Sequence, residues 1–225
     1  MGNKHQLTAD GSSTLYTDRF KDTYHSIHGA IQESEHVFIK MGWDTVYKDK
    51  KELHVLEMGF GTGLNTLLIA LRSAQQAIPV HYTSLEAFPI SKSDAASLNY
   101  GELLNASPLF DSIHNANWNE SVQISPYFNL HKKHVSILDF ESREKYFDLV
   151  LYDAFTPIAQ PELWTKDVFL KLHQWMNAGG VLTTYCAKGD VRRAMKDIGF
   201  KVERLPGPPG KREMLRAVRC DDSVI

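Results

Sequence analysis

The feature that most limits how this chain can fold is a run of glycines between a short apolar stretch and a helical stripe. Residues 54–58 (HVLEM) read as a buried strand and residues 59–63 (GFGTG) as a tight turn. Leu64, Leu67, Leu68 and Leu71 then fall at i, i+3, i+4 and i+7, one face of a helix. The same alternation continues downstream. Residues 80–85 predict a second strand closed by Glu86, with a short helix from Ser91. Residues 134–138 predict a third strand ending at Asp139, and residues 147–152 a fourth ending at Asp153. Thr165 is placed to cap a helix lined by Val168, Phe169, Leu172, Trp175 and Met176 and stopped by Gly179-Gly180, before a fifth strand at residues 181–185. Val191, Ala194, Met195 and Ile198 form another helical stripe. Residues 200–203 and 214–218 close the chain as an antiparallel pair around a Pro/Gly loop. Strands alternating with helices imply a doubly wound α/β sheet, mostly parallel, with both faces covered.

At 225 residues, 43% hydrophobic and 23% charged, the chain fits one large globular domain with appendages. Residues 1–50 are polar and aromatic with weak periodicity, and are expected to be an N-terminal extension packing on a single compact unit at residues 51–225. No apolar run approaches the ~18–20 residues needed to span a bilayer, and no secretory leader is visible. Cys186 and Cys220 are the only cysteines, so neither a zinc cage nor a disulfide framework is expected. No membrane or metal partner is expected, and the default location is cytoplasmic. The net charge of −2 hides an asymmetry: residues 188–219 carry ten basic and four acidic side chains. Such a block suits a polyanion, although a charge run is more often a solvated face.

In such sheets ligands bind beyond the carboxyl ends of the strands, where Glu57, Glu86, Asp139 and Asp153 all stand. The loop reads E-x-G-x-G-x-G, from Glu57 through Gly59, Gly61 and Gly63, rather than the G-x-G-x-x-G of dinucleotide sites. An anionic Glu57 ahead of the loop suits a ligand bearing an ammonium or sulfonium better than one bearing a pyrophosphate. Glu86 is positioned for ribose hydroxyls and Asp139 for an adenine amino group. S-adenosylmethionine satisfies this arrangement, with NAD as the runner-up. Directly after the fourth strand, Asp153-Ala-Phe-Thr-Pro157 places a carboxylate and an aromatic ring at the mouth of the site. A carboxylate beside an attacking amine stabilises the positive charge that nitrogen gains during methyl transfer. Asp153 is therefore the candidate catalytic group, with Phe155 packing on the acceptor. Separately, each of these residues also has a bland reading as a cap or a core aromatic.

The stretches GFGTGLN (59–65), LEAFP (85–89), LYDAFTPIAQPELWT (151–165), VRRAMKDIGF (191–200) and GKREML (210–215), with TADGSSTLY (8–16), resemble the methyltransferase domain of the bacterial enzyme family that completes 5-methylaminomethyl-2-thiouridine in tRNA. The resemblance covers nearly the whole chain. It implies a Rossmann-like class I S-adenosylmethionine-dependent fold and N-methylation of the aminomethyl group on wobble uridine. By position it implies a cofactor site at Glu57, Gly59, Phe60, Gly61, Gly63, Asn65, Glu86 and Asp139, and catalysis at Asp153. It also implies contacts from Arg192, Arg193, Lys211 and Arg212 to the anticodon stem-loop, where phosphate contacts give affinity. Family members carry a further oxidase domain; with the sequence reaching only Ile225, methyl transfer alone is expected, on an amine supplied by a separate upstream oxidase. Alanine follows Asp153 where the family often has glycine, which makes the acceptor less defined than the cofactor. Rival readings are an NAD-linked oxidoreductase, a methyltransferase for a small-molecule or protein amine, and a non-catalytic RNA-binding module.

Overall fold

A computed structural model describes residues 2–220. The central sheet has eight strands, numbered in chain order after the three N-terminal ones: β4 (Leu53–Met58), β5 (Val80–Glu86), β6 (Ser121–Ser125), β7 (Phe128–His134), β8 (Phe147–Tyr152), β9 (Met176–Thr184), β10 (Phe200–Pro206) and β11 (Glu213–Arg219). Their spatial order is β10-β11-β9-β8-β4-β5-β7-β6. The five inner strands β7, β5, β4, β8 and β9 run parallel, whereas β6 and the β10–β11 hairpin are antiparallel to their neighbours. From β4 the chain first builds outward through β5 and β7. It then returns to lay β8 on the other side of β4. That reversal opens a crevice at the carboxyl ends of β4 and its neighbours.

Because successive side chains on a strand point to opposite faces, β8 serves two cores. Leu149 and Leu151 join one buried cluster with Val55, Leu67 and Leu68, while Val150 and Tyr152 join another with Phe169, Leu172 and Met195. The first face is covered by α1 (residues 30–46), α2 (Leu64–Gln76) and α5 (Ser107–Asn115), with α3 (Lys92–Ala96) and α4 (Tyr100–Leu103) beside them. The second is covered by α6 (Lys166–Trp175) and α7 (Gly189–Asp197). Thr165 caps α6 by accepting the Val168 N–H, as its position predicts.

The first fifty residues form β1 (Lys4–Leu7), β2 (Ser13–Thr17) and β3 (Asp22–Thr23), a small antiparallel sheet, followed by α1. The middle of α1, Glu35–Trp43, is π-helical. Leu15, Val37, Phe38 and Trp43 belong to the same buried cluster as Val55 and Leu67, so this segment shares the core of the sheet.

Two strand expectations are corrected. The third strand is Phe128–His134, not residues 134–138, which instead leave the sheet in a turn. Its inward side chains are Phe128, Leu130 and Lys132, and the buried lysine disguised it. Lys132 Nζ donates to the carbonyls of Ile113 (2.8 Å) and His114 (2.9 Å) at the end of α5, and lies 4.9 Å from the Trp118 ring centroid. Burial pushes its ammonium down to about 8. Lys132→Met is expected to leave those carbonyls unmet and lower stability by about 2 kcal/mol, read as a shift in the urea midpoint. The fifth strand begins at Met176, directly after α6, and not at residue 181. Gly179 (φ +75°) lies within β9, where the pairing with β8 slips between Phe147 and Leu149, so the glycines mark a strand irregularity and not the helix end. Among the described residues no helix is long and apolar enough to cross a membrane.

Candidate active site

β4 ends at Met58 and the chain turns through Gly59 at φ +91°. A methyl group on Gly59 would stand 2.6 Å from the Asp153 carbonyl oxygen, so only glycine lets the loop pass this close to the end of β8. The Gly61 N–H donates to Glu86 Oε2 (2.9 Å), and Glu86 Oε1 accepts the Phe88 N–H (2.8 Å). One carboxylate therefore ties the glycine loop to the end of β5. Burial raises the Glu86 carboxyl above its ordinary range, and the two backbone donors draw it back. Gly63, left-handed at φ +76°, starts α2, and a methyl there would meet His114 Nε2 at 2.8 Å.

Glu57 lies beneath this loop. It points, like Val55, to the α2 face, is wholly buried, and does not line the cavity above. Oε2 accepts Thr66 Oγ1 (2.8 Å) from α2 and Ser84 Oγ (2.5 Å) from β5, while Oε1 has no hydrogen-bond partner among the described residues. Burial pushes the carboxyl up to about 8 in spite of those two hydroxyl donors. The expected direct cofactor contact through Glu57 is thus replaced by a brace under the loop. Asp139 departs further from expectation. With β7 ending at His134, it falls in an exposed turn and is not among the cavity-lining residues, although Ser136 and Leu138 are.

The cavity above the strand ends has a volume of about 670 Å³. Gly59, Phe60, Gly61, Asn65, Glu86, Asp153 and Phe155 line it together, from loops that the sequence separates by almost a hundred residues. Asn65, on the first turn of α2, donates Nδ2 to Asp153 Oδ2 (2.8 Å) and leaves its buried Oδ1 without a partner among the described residues. Burial pushes the Asp153 carboxyl up to about 7, with the negative charge of Glu33 adding to the effect and the Asn65 donor opposing it. Phe155 packs against Phe20 (4.5 Å between centroids) and Tyr24 (5.0 Å), forming an aromatic shelf at the mouth. Among the described residues, five carboxylates (Asp22, Glu33, Glu86, Asp153 and Glu162) face this space against one ammonium, that of Lys211. Such a lining favours a cationic ligand.

The four basic residues do not act as one set. Arg212 is exposed, Arg193 is exposed and paired with Asp190, and Arg192 is half-buried on α7. Lys211 turns inward, pairs with buried Glu33, and holds its Nζ 3.8 Å from the Tyr185 ring centroid.

Comparison with known proteins gives this geometry a family. Residues 106–220 match the profile of the family described as S-adenosyl-L-methionine-dependent methyltransferase. The chain belongs to that family. A protein of Aromatoleum aromaticum named tRNA 5-methylaminomethyl-2-thiouridine biosynthesis bifunctional protein MnmC is 31% identical over 96% of this chain, covering 35% of its own length. The Azoarcus protein of the same name is 30% identical over 90% of this chain and 34% of its own. The chain thus spans about a third of the length of the curated relatives it matches. Among solved structures, MnmC2 from Aquifex aeolicus superposes with a TM-score of 0.78 at 25% identity, over 96% of this chain and 70% of that one. Spermidine synthase from Thermotoga maritima shares the fold, with a TM-score of 0.58 at 13% identity.

The methyltransferase cavity suits the family's cofactor on its own chemistry: a glycine-floored loop for close approach, a half-buried carboxylate in Glu86, the orphan Oδ1 of Asn65, and an acidic wall for a sulfonium. Part of that wall comes from outside the motifs, and its Tyr185 was not predicted. Glu33 and Tyr185 line it, as do Tyr24 and His25 from the segment after β3; His25 Nε2 lies 2.6 Å from Thr62 Oγ1 and burial pushes its imidazole down to about 4. From the sequence, Tyr16, Tyr24, His25 and Glu33 of the N-terminal segment are left to cover the pocket or to brace the sheet, and Tyr24, His25 and Glu33 lie on the cavity. The GKRE motif did single out Lys211, but for an outward role.

Proposed function

We propose that this methyltransferase N-methylates the 5-aminomethyl group of tRNA wobble uridine, giving 5-methylaminomethyl-(2-thio)uridine. The observation that carries the reading is Asp153: a carboxylate at the end of β8, held by Asn65, beside the glycine loop and under the Phe155 shelf. The names of the relatives point to the same nucleoside. When bound, the cofactor supplies a methyl group on a sulfonium. Gly59 and Gly61 admit it closely, and Glu86, whose oxygens each keep a further lone pair, accepts from its ribose hydroxyls. Asn65 Oδ1 offers an acceptor to the same ligand. Glu57 keeps α2 and β5 in register beneath. Phe155, with Phe20 and Tyr24 behind it, stacks the acceptor base, as aromatic side chains do with unstacked RNA bases. Asp153 orients the amine, opposes the charge developing on nitrogen, and takes the proton that nitrogen releases. The free amine would come from an oxidase acting upstream, in the cytoplasm where tRNA is modified.

The testing experiment incubates tRNA lacking the modification with the protein and labelled S-adenosylmethionine, then analyses wobble nucleosides by mass spectrometry. One methyl on the aminomethyl nitrogen is expected; label on another nucleoside, or none, overturns the assignment. The exposed basic surface carries a second prediction. Replacing Arg192, Arg193 and Arg212 together by Ala should weaken tRNA binding by at least about tenfold and reduce the slope of log K against log[salt] by about 3. Gel shifts across a salt series measure both, and cofactor affinity should stay the same.

A further inference from the structure

One ion pair inside the cavity is left unused by the chemistry above. Glu33, on α1, has a side chain only 7% exposed. Its Oε2 accepts the Ser26 N–H (2.9 Å) and its Oε1 takes the Lys211 ammonium. Lys211 comes from the loop joining β10 to β11, and its Nζ lies over the Tyr185 ring, 3.8 Å from the centroid. That ring is fixed by its hydroxyl, which donates to the Ala154 carbonyl (2.8 Å). A buried carboxylate beside an aromatic face is a receptor for an alkylammonium, and Lys211 is an alkylammonium.

The position of this receptor matters. Glu86 ends β5, on one side of β4, whereas Tyr185 follows β9, two strands away on the other side. With an adenosyl group against Glu86, the Tyr185 end of the cavity is left for the acceptor. Asp153, at the end of β8, stands between the two, close enough to Glu33 for that charge to raise its carboxyl.

We propose that Glu33 and the Tyr185 ring form the subsite for the acceptor's ammonium, and that Lys211 fills it until the acceptor takes its place. This deepens the amine-acceptor reading and rests on it. Two carboxylates, Glu33 and Asp153, then face the incoming amine: Glu33 holds the ammonium on arrival, one of its protons leaves to solvent before attack, and ionised Asp153 opposes the charge that nitrogen regains and takes a proton after transfer. A secondary or tertiary amine offers fewer N–H donors to this pair, so the subsite favours a primary amine.

The test is calorimetric titration of n-butylammonium into the protein saturated with S-adenosylhomocysteine, at pH 8 and without RNA. Lys211→Met and Lys211→Gln should each bind the probe at least tenfold more tightly than the unsubstituted protein. Adding Glu33→Gln should erase the gain, and adding Tyr185→Leu should cut it several-fold. No gain in either lysine variant, or a gain that survives Glu33→Gln, overturns the subsite. The urea midpoint of each variant serves as the folding control, and S-adenosylhomocysteine affinity is measured on the folded variants. A tenfold loss of it in Glu33→Gln alone would assign Glu33 to the cofactor's amino-acid end and also overturn the proposal. Because RNA is absent, a failure here is distinct from failure of the tRNA assay: tRNA methylation without the probe effect refutes the subsite only, and the converse refutes the tRNA acceptor only.

Discussion

Asp153→Ala is expected to lower kcat by at least about a hundredfold while changing cofactor affinity by no more than about threefold. Asp153 is held by Asn65, so Asp153→Asn keeps the side-chain shape and removes only the charge and the basic oxygen. The two variants should therefore lose activity alike. The pH profile distinguishes a chemical role from a structural one. Burial pushes this carboxyl up to about 7 in the cofactor-free protein, and the protonated acid can neither oppose positive charge nor take a proton. For the unsubstituted enzyme, kcat/KM should rise with pH and inflect near 7, below any inflection from the amine itself. A sulfonium bound in the cavity favours the ionised acid, so the inflection in kcat should lie lower than that in kcat/KM. In Asp153→Asn the lower inflection should vanish. Stopped-time methyl transfer at a series of pH values, with cofactor binding measured by calorimetry, checks both. Loss of cofactor affinity together with turnover would make Asp153 a ligand of the cofactor instead.

How much of this was legible in the sequence depends on where each residue's constraint comes from. The loop from Gly59 to Gly63 and the strands β4, β5 and β8 were readable because buried parallel strands are continuous apolar runs and a tight turn demands glycine. β7 was not, since Lys132 looks polar in sequence and becomes a core residue only through the carbonyls of α5 and the ring of Trp118. The error carried Asp139 to a strand end it does not occupy. The helix at residues 30–46 was hidden for a different reason. Its π-helical stretch has a wider turn than an α-helix, so Val37, Phe38, Ile39 and Trp43 are all buried without the 3.6-residue spacing that reveals a helix. Counting charges found the basic block but not that Lys211 turns inward to Glu33, 178 positions earlier. Glu33 itself has no motif; it belongs to the cavity because the N-terminal segment folds across the strand ends.

Glu57→Gln should make the cofactor-free protein more stable above neutral pH, by an amount that grows from pH 5 to pH 8. Glu57 is wholly buried, and its carboxyl ionises at about 8 in the folded state against 4.5 as the ordinary value. Above about 4.5 the unfolded chain loses this proton while the folded chain keeps it. Folding then binds a proton, and stability falls by up to about 1.4 kcal/mol per pH unit until the folded group also ionises. The whole penalty is on the order of a few kcal/mol. Glutamine keeps the Oε2 position that accepts Thr66 and Ser84, and its amide takes the place of Oε1, beside the Tyr82 hydroxyl. At pH 5, where the carboxyl is neutral in the folded protein, the two proteins should thus unfold at nearly the same urea concentration. At pH 8 the variant should hold to a clearly higher one. Asp153 also carries a raised carboxyl, but it is present in both proteins and largely cancels from the difference. Parallel stability curves would mean that Glu57 is already ionised in the folded state, paired with a charge or solvent. In that case the brace beneath the glycine loop would be a carboxylate at neutral pH. If the expected divergence appears, the brace is an uncharged acid, and the negative field on a bound sulfonium comes from Glu86 and Asp153 in the cavity wall instead of from the strand beneath it.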